Sequence, residues 1–140
     1  MGCDQNHSKE IDIYNRPFEE KIEIVNDFKS KGNEYFKQED YKKASYFYAK
    51  ALLQFYYIIP DDKKQEDITN PIKLNCHLNQ ALWFFKQKRY EEGIPETYQA
   101  LCMDPNNVKA LYRQACLNRE LDEFEKAMED VKKAIQIEPK

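Results

Sequence analysis

The sequence has 140 residues, which suits one domain that can bury a core. Aromatic residues make up 14% of it and only three residues are glycine, which favours packed helices over a sheet sandwich. The formal net charge is −3, and residues 1–24 carry all of that excess. Because no overall positive field is available to attract a phosphate backbone, nucleic-acid binding is disfavoured.

The chain starts with Met1-Gly2-Cys3, which resembles proteins that are myristoylated on Gly2 and palmitoylated on Cys3. The motif is incomplete, because its sixth position is Asn6 where Ser or Thr is usual. A start codon followed by small residues, or a cloning remnant, is the alternative explanation. The sequence has no apolar run of 18 residues and no apolar signal core, so we expect a cytoplasmic protein. Acylation would hold it at the cytoplasmic face of a membrane.

Residues 1–17 are expected to form a flexible segment ahead of a domain at 18–140. Apolar residues in that domain recur at steps of three and four, which predicts helices. Asp40 is predicted to cap the second helix, and Asn70 with Pro71 to open the third. A polar stretch at about 58–70 predicts an inserted loop. The predicted helices lie at about 18–37, 41–57, 71–86, 90–102, 107–120 and 124–137.

The second half of the sequence repeats itself with a period of 34 residues. Asp104-Pro105 is matched by Glu138-Pro139, and small residues such as Ala81 and Ala115 share that offset. An earlier copy starts at Gly32, 49 residues before Ala81, and the inserted loop accounts for the excess. The repeats are therefore predicted at about 25–59, 74–107 and 108–140.

This pattern of small and aromatic residues resembles the tetratricopeptide repeat (TPR), whose unit is a helix-turn-helix. The resemblance implies an all-α fold, with three repeats stacked in a short right-handed solenoid that has a concave groove. Thr97, Asn118 and Val131 depart from the family pattern. The lead-in at 17–22 and the insertion resemble the immunophilin-type branch, in which a peptidyl-prolyl isomerase domain precedes the TPR module. Such a domain does not fit in the first 24 residues, so the chain either stands alone or is a fragment.

Five polar residues on the first helices of the repeats are candidates for binding an anion. Lys29 and Asn33 are four residues apart, as are Lys109 and Arg113, and this spacing puts each pair on one helix face. Together they supply hydrogen-bond donors with almost no competing negative charge, which suits a carboxylate. The five residues are Lys29, Asn33, Asn79, Lys109 and Arg113.

The same five residues match, position by position, the carboxylate clamp of TPR co-chaperones. Those co-chaperones bind the C-terminal Glu-Glu-Val-Asp tails of the seventy- and ninety-kilodalton heat-shock chaperones. The resemblance therefore implies an adaptor that binds such a tail, although which chaperone class it prefers stays open. Phe36, Leu82 and Phe85 are expected to face the same groove and to accept an apolar side chain, unless they pack between helices. The alternative is a TPR scaffold for another partner, with an idle clamp.

An enzyme is the weakest hypothesis, because the only histidines, His7 and His77, have no nucleophile, metal set or phosphate loop beside them. His77 is expected to pack between helices or line the groove. The spacing of the four cysteines matches no zinc or redox motif, so neither a metal nor a cofactor is expected.

The last helix ends at Pro139 without a covering seventh helix, so its outer face is expected to stay open or to dock onto another molecule. The sequence leaves the oligomeric state open.

Overall fold

The computed structural model describes residues 15–138, and all of the regular secondary structure in that range is helical. The fold is all-α, as predicted. Predictions that fall on Gly2, Cys3, His7 and Pro139 lie outside the described residues. The helices are α1 (Phe18–Lys37), α2 (Tyr41–Gln54), a short 3-10 helix (Phe55–Tyr57), α3 (Lys63–Lys86), α4 (Tyr90–Met103), α5 (Val108–Glu120) and α6 (Phe124–Ile137).

The start of α3 corrects the sequence prediction. A loop was expected at about 58–70, with Asn70 and Pro71 opening the helix, but α3 begins at Lys63 and contains Pro71. Asp62 caps this earlier start, because its carboxylate accepts a hydrogen bond from the Gln65 backbone N–H at 2.9 Å. The Gln65 side chain in turn accepts from the backbone N–H of Asp61 at 2.8 Å. This reciprocal capping starts the helix two turns before the proline, which is tolerated inside it.

The turn between the two helices of each repeat has the same backbone conformation three times. Glu39, Lys88 and Asp122 adopt left-handed φ angles of 61°, 59° and 61°. In each case the following residue donates its backbone N–H to a carbonyl in the last turn of the preceding helix, as Asp40 does to Tyr35. Asp40 also caps α2 through its side chain, as predicted. The recurrence at the sequence offsets of 49 and 34 shows that the three repeats share one local geometry.

The chain divides into two compact units, one running through Ile72 and the other beginning at Lys73. In the first unit α1 packs against α2, and Val25, Ala44 and Tyr48 are buried between them. A Cβ atom at Gly32 would lie 2.7 Å from Cε1 of the Tyr48 ring. Glycine at this position therefore allows an aromatic ring to lie directly against the backbone of α1.

In the second unit α5 packs against both α4 and α6, and small side chains such as Ala100 and Ala110 are fully buried. Polar residues occupy two of the positions that depart from the family pattern. Thr97 is fully buried and donates to the carbonyl of Ile94 at 2.9 Å. Asn118 donates to the Asp130 carboxylate at 3.1 Å. Hydrogen bonds thus satisfy the polar groups of Thr97 and Asn118 inside the helix packing.

The helical cysteines differ in burial. Cys76 is buried and Cys116 is partly buried, but Cys102 is exposed, although a free cysteine in a helix usually packs as a small buried hydrophobe. The buried stripe of α4 contains Gly93, Thr97 and Ala100, and Cys102 lies off that stripe. Across residues 15–138, no helix combines the length and the apolar character needed to span a bilayer.

Candidate functional site

Two cations on α5 form the most distinctive polar feature of the second unit. Lys109 is exposed and Arg113 is partly buried, one helical turn apart. Arg113 donates from Nη1 to the backbone carbonyl of Leu78 on α3, at 2.5 Å. Asn79, the next residue of α3, is partly buried. The structure therefore brings three of the predicted donors, Asn79, Lys109 and Arg113, to neighbouring positions on α3 and α5.

The positive charges of this group are not neutralised within the described residues. Neither Lys109 nor Arg113 takes part in an ion pair in residues 15–138. The positive charge of Arg113 lowers the pKa of Lys109, and burial lowers it further. Burial also lowers the pKa of Arg113. Since both shifts reflect cations that would be more stable next to an anion, the local electrostatics favour binding of a negative group.

A small apolar cavity of about 150 Å³ is lined in part by Arg113. Leu82 and Phe85, two of the three residues predicted to form an apolar pocket, line it. Its other lining residues are Ala81, Tyr112, Arg113, Cys116 and Leu117. The second unit therefore combines two cations without an ion-pair partner among the described residues with an adjacent space for an apolar side chain.

The first unit holds Lys29 and Asn33, which lie one turn apart on α1. The carboxamide oxygen of Asn33 accepts a hydrogen bond from the hydroxyl of the buried Tyr48, at 2.6 Å. This bond fixes the orientation of the amide, because the oxygen must face Tyr48 and the NH₂ group must then face away from it. Asn33 is itself exposed, so its two N–H donors are available to a ligand. Lys29 is partly buried and has no ion pair among the described residues.

Phe36, the third residue predicted for the apolar pocket, belongs to the first unit. Its ring packs edge-on against Tyr41, with 5.2 Å between the ring centroids. The residue as a whole is partly buried. His77, predicted to pack or to line the groove, is hydrogen-bonded through Nδ1 to Glu96 at 2.7 Å.

Sequence reasoning missed three residues that contribute to these arrangements. Tyr48 was not singled out, although its hydroxyl orients Asn33. Tyr112 and Cys116 line the cavity beside Arg113 and were not singled out. A helical wheel could have found Cys116, because it lies three residues after Arg113 and therefore near the same face. The Tyr48 hydroxyl carries no comparable signal, since its target depends on how closely α1 and α2 approach.

Comparison with known proteins agrees with this architecture. The tetratricopeptide-repeat family profile matches residues 108–140. FK506-binding protein 59 of Drosophila melanogaster is 36% identical over 121 residues, which cover 86% of this chain and 27% of that protein. The chain thus spans about a quarter of the length of the curated relatives it matches.

Two solved structures extend the comparison to the fold. The C-terminal TPR-containing domain of a Plasmodium falciparum FK506-binding protein is 35% identical, with a TM-score of 0.84, and the match covers 91% of this chain and 85% of that one. The Hsp90 co-chaperone Cns1 from Saccharomyces cerevisiae is 30% identical, with a TM-score of 0.73, over 86% of this chain and 36% of that one. The chain therefore belongs to the tetratricopeptide-repeat family, a family of protein-interaction modules, and is similar to the TPR regions of immunophilin-type FK506-binding proteins.

Proposed function

We propose that this chain is a non-enzymatic adaptor that binds the C-terminal tail of a heat-shock chaperone, and that it recognises the terminal carboxylate. The residues proposed to bind the carboxylate are Lys29, Asn33, Asn79, Lys109 and Arg113. The observation that carries the proposal is the pair of cations on α5, Lys109 and Arg113, which no carboxylate of the described chain neutralises.

A carboxylate is the anion that fits this group best. Arg113 uses one N–H to bind the Leu78 carbonyl, and its remaining donors can form a charge-assisted hydrogen bond to a carboxylate oxygen. Each hydrogen bond to a charged group contributes about 1.5–3 kcal/mol. An anion next to Lys109 also offsets the repulsion from Arg113, which is the largest cause of the lowered pKa of Lys109. Carboxylate binding is therefore favoured by both hydrogen bonding and charge.

The cavity beside Arg113 supports a ligand that has an apolar side chain close to its terminal carboxylate. Its volume of about 150 Å³ and its lining by Leu82 and Phe85 suit one aliphatic side chain. A tail that ends Glu-Glu-Val-Asp carries valine immediately before the terminal residue. We propose that this valine occupies the cavity when the terminal carboxylate lies against Arg113.

The relatives support the chaperone as the partner. The yeast protein that is 30% identical to this chain is named as an Hsp90 co-chaperone. We therefore propose the ninety-kilodalton chaperone as the main partner, with the tail of the seventy-kilodalton chaperone as a competitor. Lys29 and Asn33 are proposed to add donors to the same carboxylate, on the strength of their match to the family's clamp and the oriented amide of Asn33.

Titration calorimetry with matched peptides tests this proposal. We expect the free-acid tail peptide to bind and the same peptide with an amidated C-terminus to bind much more weakly, because amidation removes the charge and keeps every side chain. A scrambled peptide with a free terminus controls for nonspecific attraction. If the amidated and free-acid peptides bind equally well, the clamp is idle and the chain is a TPR scaffold for a different partner.

We also propose that Gly2 and Cys3 are acylated and hold the adaptor at the cytoplasmic face of a membrane, on the evidence of the Met1-Gly2-Cys3 sequence. Both acyl chains are needed, because a single myristoyl chain binds a membrane only marginally. Labelling of cells with a myristate analogue tests this, with Gly2→Ala as the control. Failure of the wild-type chain to label would refute it.

A further inference from the structure

The outer side of α6 carries a row of exposed apolar side chains. Phe124, Met128 and Ile135 are 59%, 55% and 48% exposed, and Val131 between them is partly buried. A groove of about 370 Å³ lies along Phe124, Met128 and Val131, where α6 meets α5. Successive steps of four, three and four residues are the spacing of a coiled-coil seam, so all four side chains lie along one side of the helix. A contiguous exposed apolar strip of this kind indicates a contact surface.

We propose that this face of α6 binds the same face of a second copy of the chain, with the two α6 helices antiparallel about a two-fold axis. In the register that a two-fold axis allows, Met128 of one copy lies opposite Val131 of the second copy. Phe124 then lies opposite Ile135 of the second copy. The seam is thus self-complementary, as an interface between identical surfaces must be.

The charges beside the seam favour this occupant over an unrelated helix. Glu125 and Lys132 both lie at the flanking position that follows the seam, and both are exposed. Neither has an ion-pair partner among residues 15–138. In the antiparallel register Glu125 of one copy comes within reach of Lys132 of the second copy, and the two-fold axis repeats the contact. A parallel pairing would not bring these two charges together, because residues at this flanking position do not face each other when the helices run in the same direction.

The interface is expected to be weak and reversible. Each copy offers one helix face and part of a groove, which is small against the roughly 800 Å² per partner of a standard stable interface. We therefore expect a dimer whose population depends on concentration in the micromolar range. This inference does not rest on the proposed peptide binding, because the four seam residues are separate from the five proposed to bind the carboxylate.

Sedimentation equilibrium of the 140-residue chain, with charge-reversed variants, tests the register. Glu125→Lys and Lys132→Glu should each weaken self-association by roughly tenfold, since each replaces two attractive pairs with two repulsive ones. An equimolar mixture of the two variants should associate again, because the mixed dimer has two opposite-charge pairs. Lys126→Glu is the matched control, because it changes the net charge of α6 as Lys132→Glu does but lies away from the seam.

Met128→Glu provides a second test through the apolar contact, with helix content measured by circular dichroism to show that the fold is kept. We expect it to abolish self-association. The proposal is overturned if the wild-type chain is monomeric at all concentrations, or if the mixture associates no better than the single variants. It is also overturned if Lys126→Glu weakens association as much as Lys132→Glu does.

Discussion

The two pairs of donor residues in this chain, Lys29 with Asn33 and Lys109 with Arg113, have the same spacing but are held by different means. Asn33 is oriented by the hydroxyl of a buried tyrosine, through a bond between two side chains. Arg113 is held by a backbone carbonyl and sits beside a second cation. The comparison teaches that the same helical spacing can produce an oriented amide in one unit and a concentrated positive charge in the other.

The largest expected effect tests the charged pair. Arg113→Ala and Lys109→Ala should each weaken binding of the free-acid tail peptide by about one to two powers of ten, since each removes a charged hydrogen-bond donor. The double variant should lose less than the sum of the two, because both residues act on one small anion. Calorimetry measures these affinities, and Arg119→Ala, an exposed arginine on the same helix, is the control. If Arg113→Ala and Arg119→Ala lose equal affinity, the peptide does not bind at Arg113 specifically, and the loss reflects only the removal of a positive charge from α5.

The next largest effect is on the free energy of unfolding, and it distinguishes the two glycines Gly32 and Gly93. A Cβ atom at Gly32 would meet the Tyr48 ring at 2.7 Å, whereas one at Gly93 would meet a terminal methyl of Leu117 at 2.9 Å. The methyl can move by a change of rotamer, but the buried ring cannot. Gly32→Ala should therefore destabilise the fold by about 1–3 kcal/mol. Gly93→Ala should change stability by less, because the helical propensity of alanine contributes about 1 kcal/mol at both positions but the strain that opposes it is smaller where only a methyl must move.

Chemical denaturation measures the free energy of unfolding of both glycine variants. Because Gly32 also sets the distance from which Tyr48 reaches Asn33, Gly32→Ala should weaken peptide binding as well. Gly93→Ala should leave binding unchanged. If the two variants lose equal stability, the rigidity of the Tyr48 ring does not explain why glycine occupies position 32.

The glycine comparison also shows how far the sequence alone could predict this molecule. Helical periodicity predicted the ends of most helices, because side chains that repeat every three or four residues directly reflect local geometry. The start of α3 was wrong because the turn-forming residues near Pro71 outweighed the capping pair Asp62 and Gln65, although that pair is visible in the sequence. A capping signal two turns upstream was the better guide.

The candidate site likewise has features that the sequence could predict and features that it could not. The spacing of Lys109 and Arg113 indicated a shared helix face, since four residues are about one turn. The bond from Arg113 to Leu78 could not be predicted, because it joins residues that are 35 apart in sequence and depends on how α3 and α5 pack. The bond from Tyr48 to Asn33 likewise depends on the close approach that Gly32 allows.

A smaller effect tests the orienting bond in the first unit. Tyr48→Phe removes the hydroxyl and keeps the ring in its buried position, so the Asn33 amide loses the partner that fixes its orientation. We expect peptide affinity to fall by roughly three- to tenfold, which corresponds to one neutral hydrogen bond. Tyr46→Phe is the matched control, because Tyr46 lies on the same helix and is exposed. No difference between the two variants would show that orientation of Asn33 does not contribute to binding.

The smallest effect is a dependence on pH that belongs to the second unit. The neighbouring charge of Arg113, followed by burial, lowers the pKa of Lys109, so Lys109 loses its proton below the usual range for lysine. A bound carboxylate favours the charged form and raises that pKa again. Binding should therefore take up protons at alkaline pH, and affinity should fall as the pH rises through the lowered pKa of the free site. Calorimetry from about pH 7 to about pH 10, in buffers that differ in ionisation enthalpy, measures both the affinity and the proton uptake. Lys109→Arg keeps the positive charge throughout this range, so its affinity should stay level while that of the wild type declines. If Lys109→Arg declines in parallel with the wild type, Lys109 is not the group that titrates.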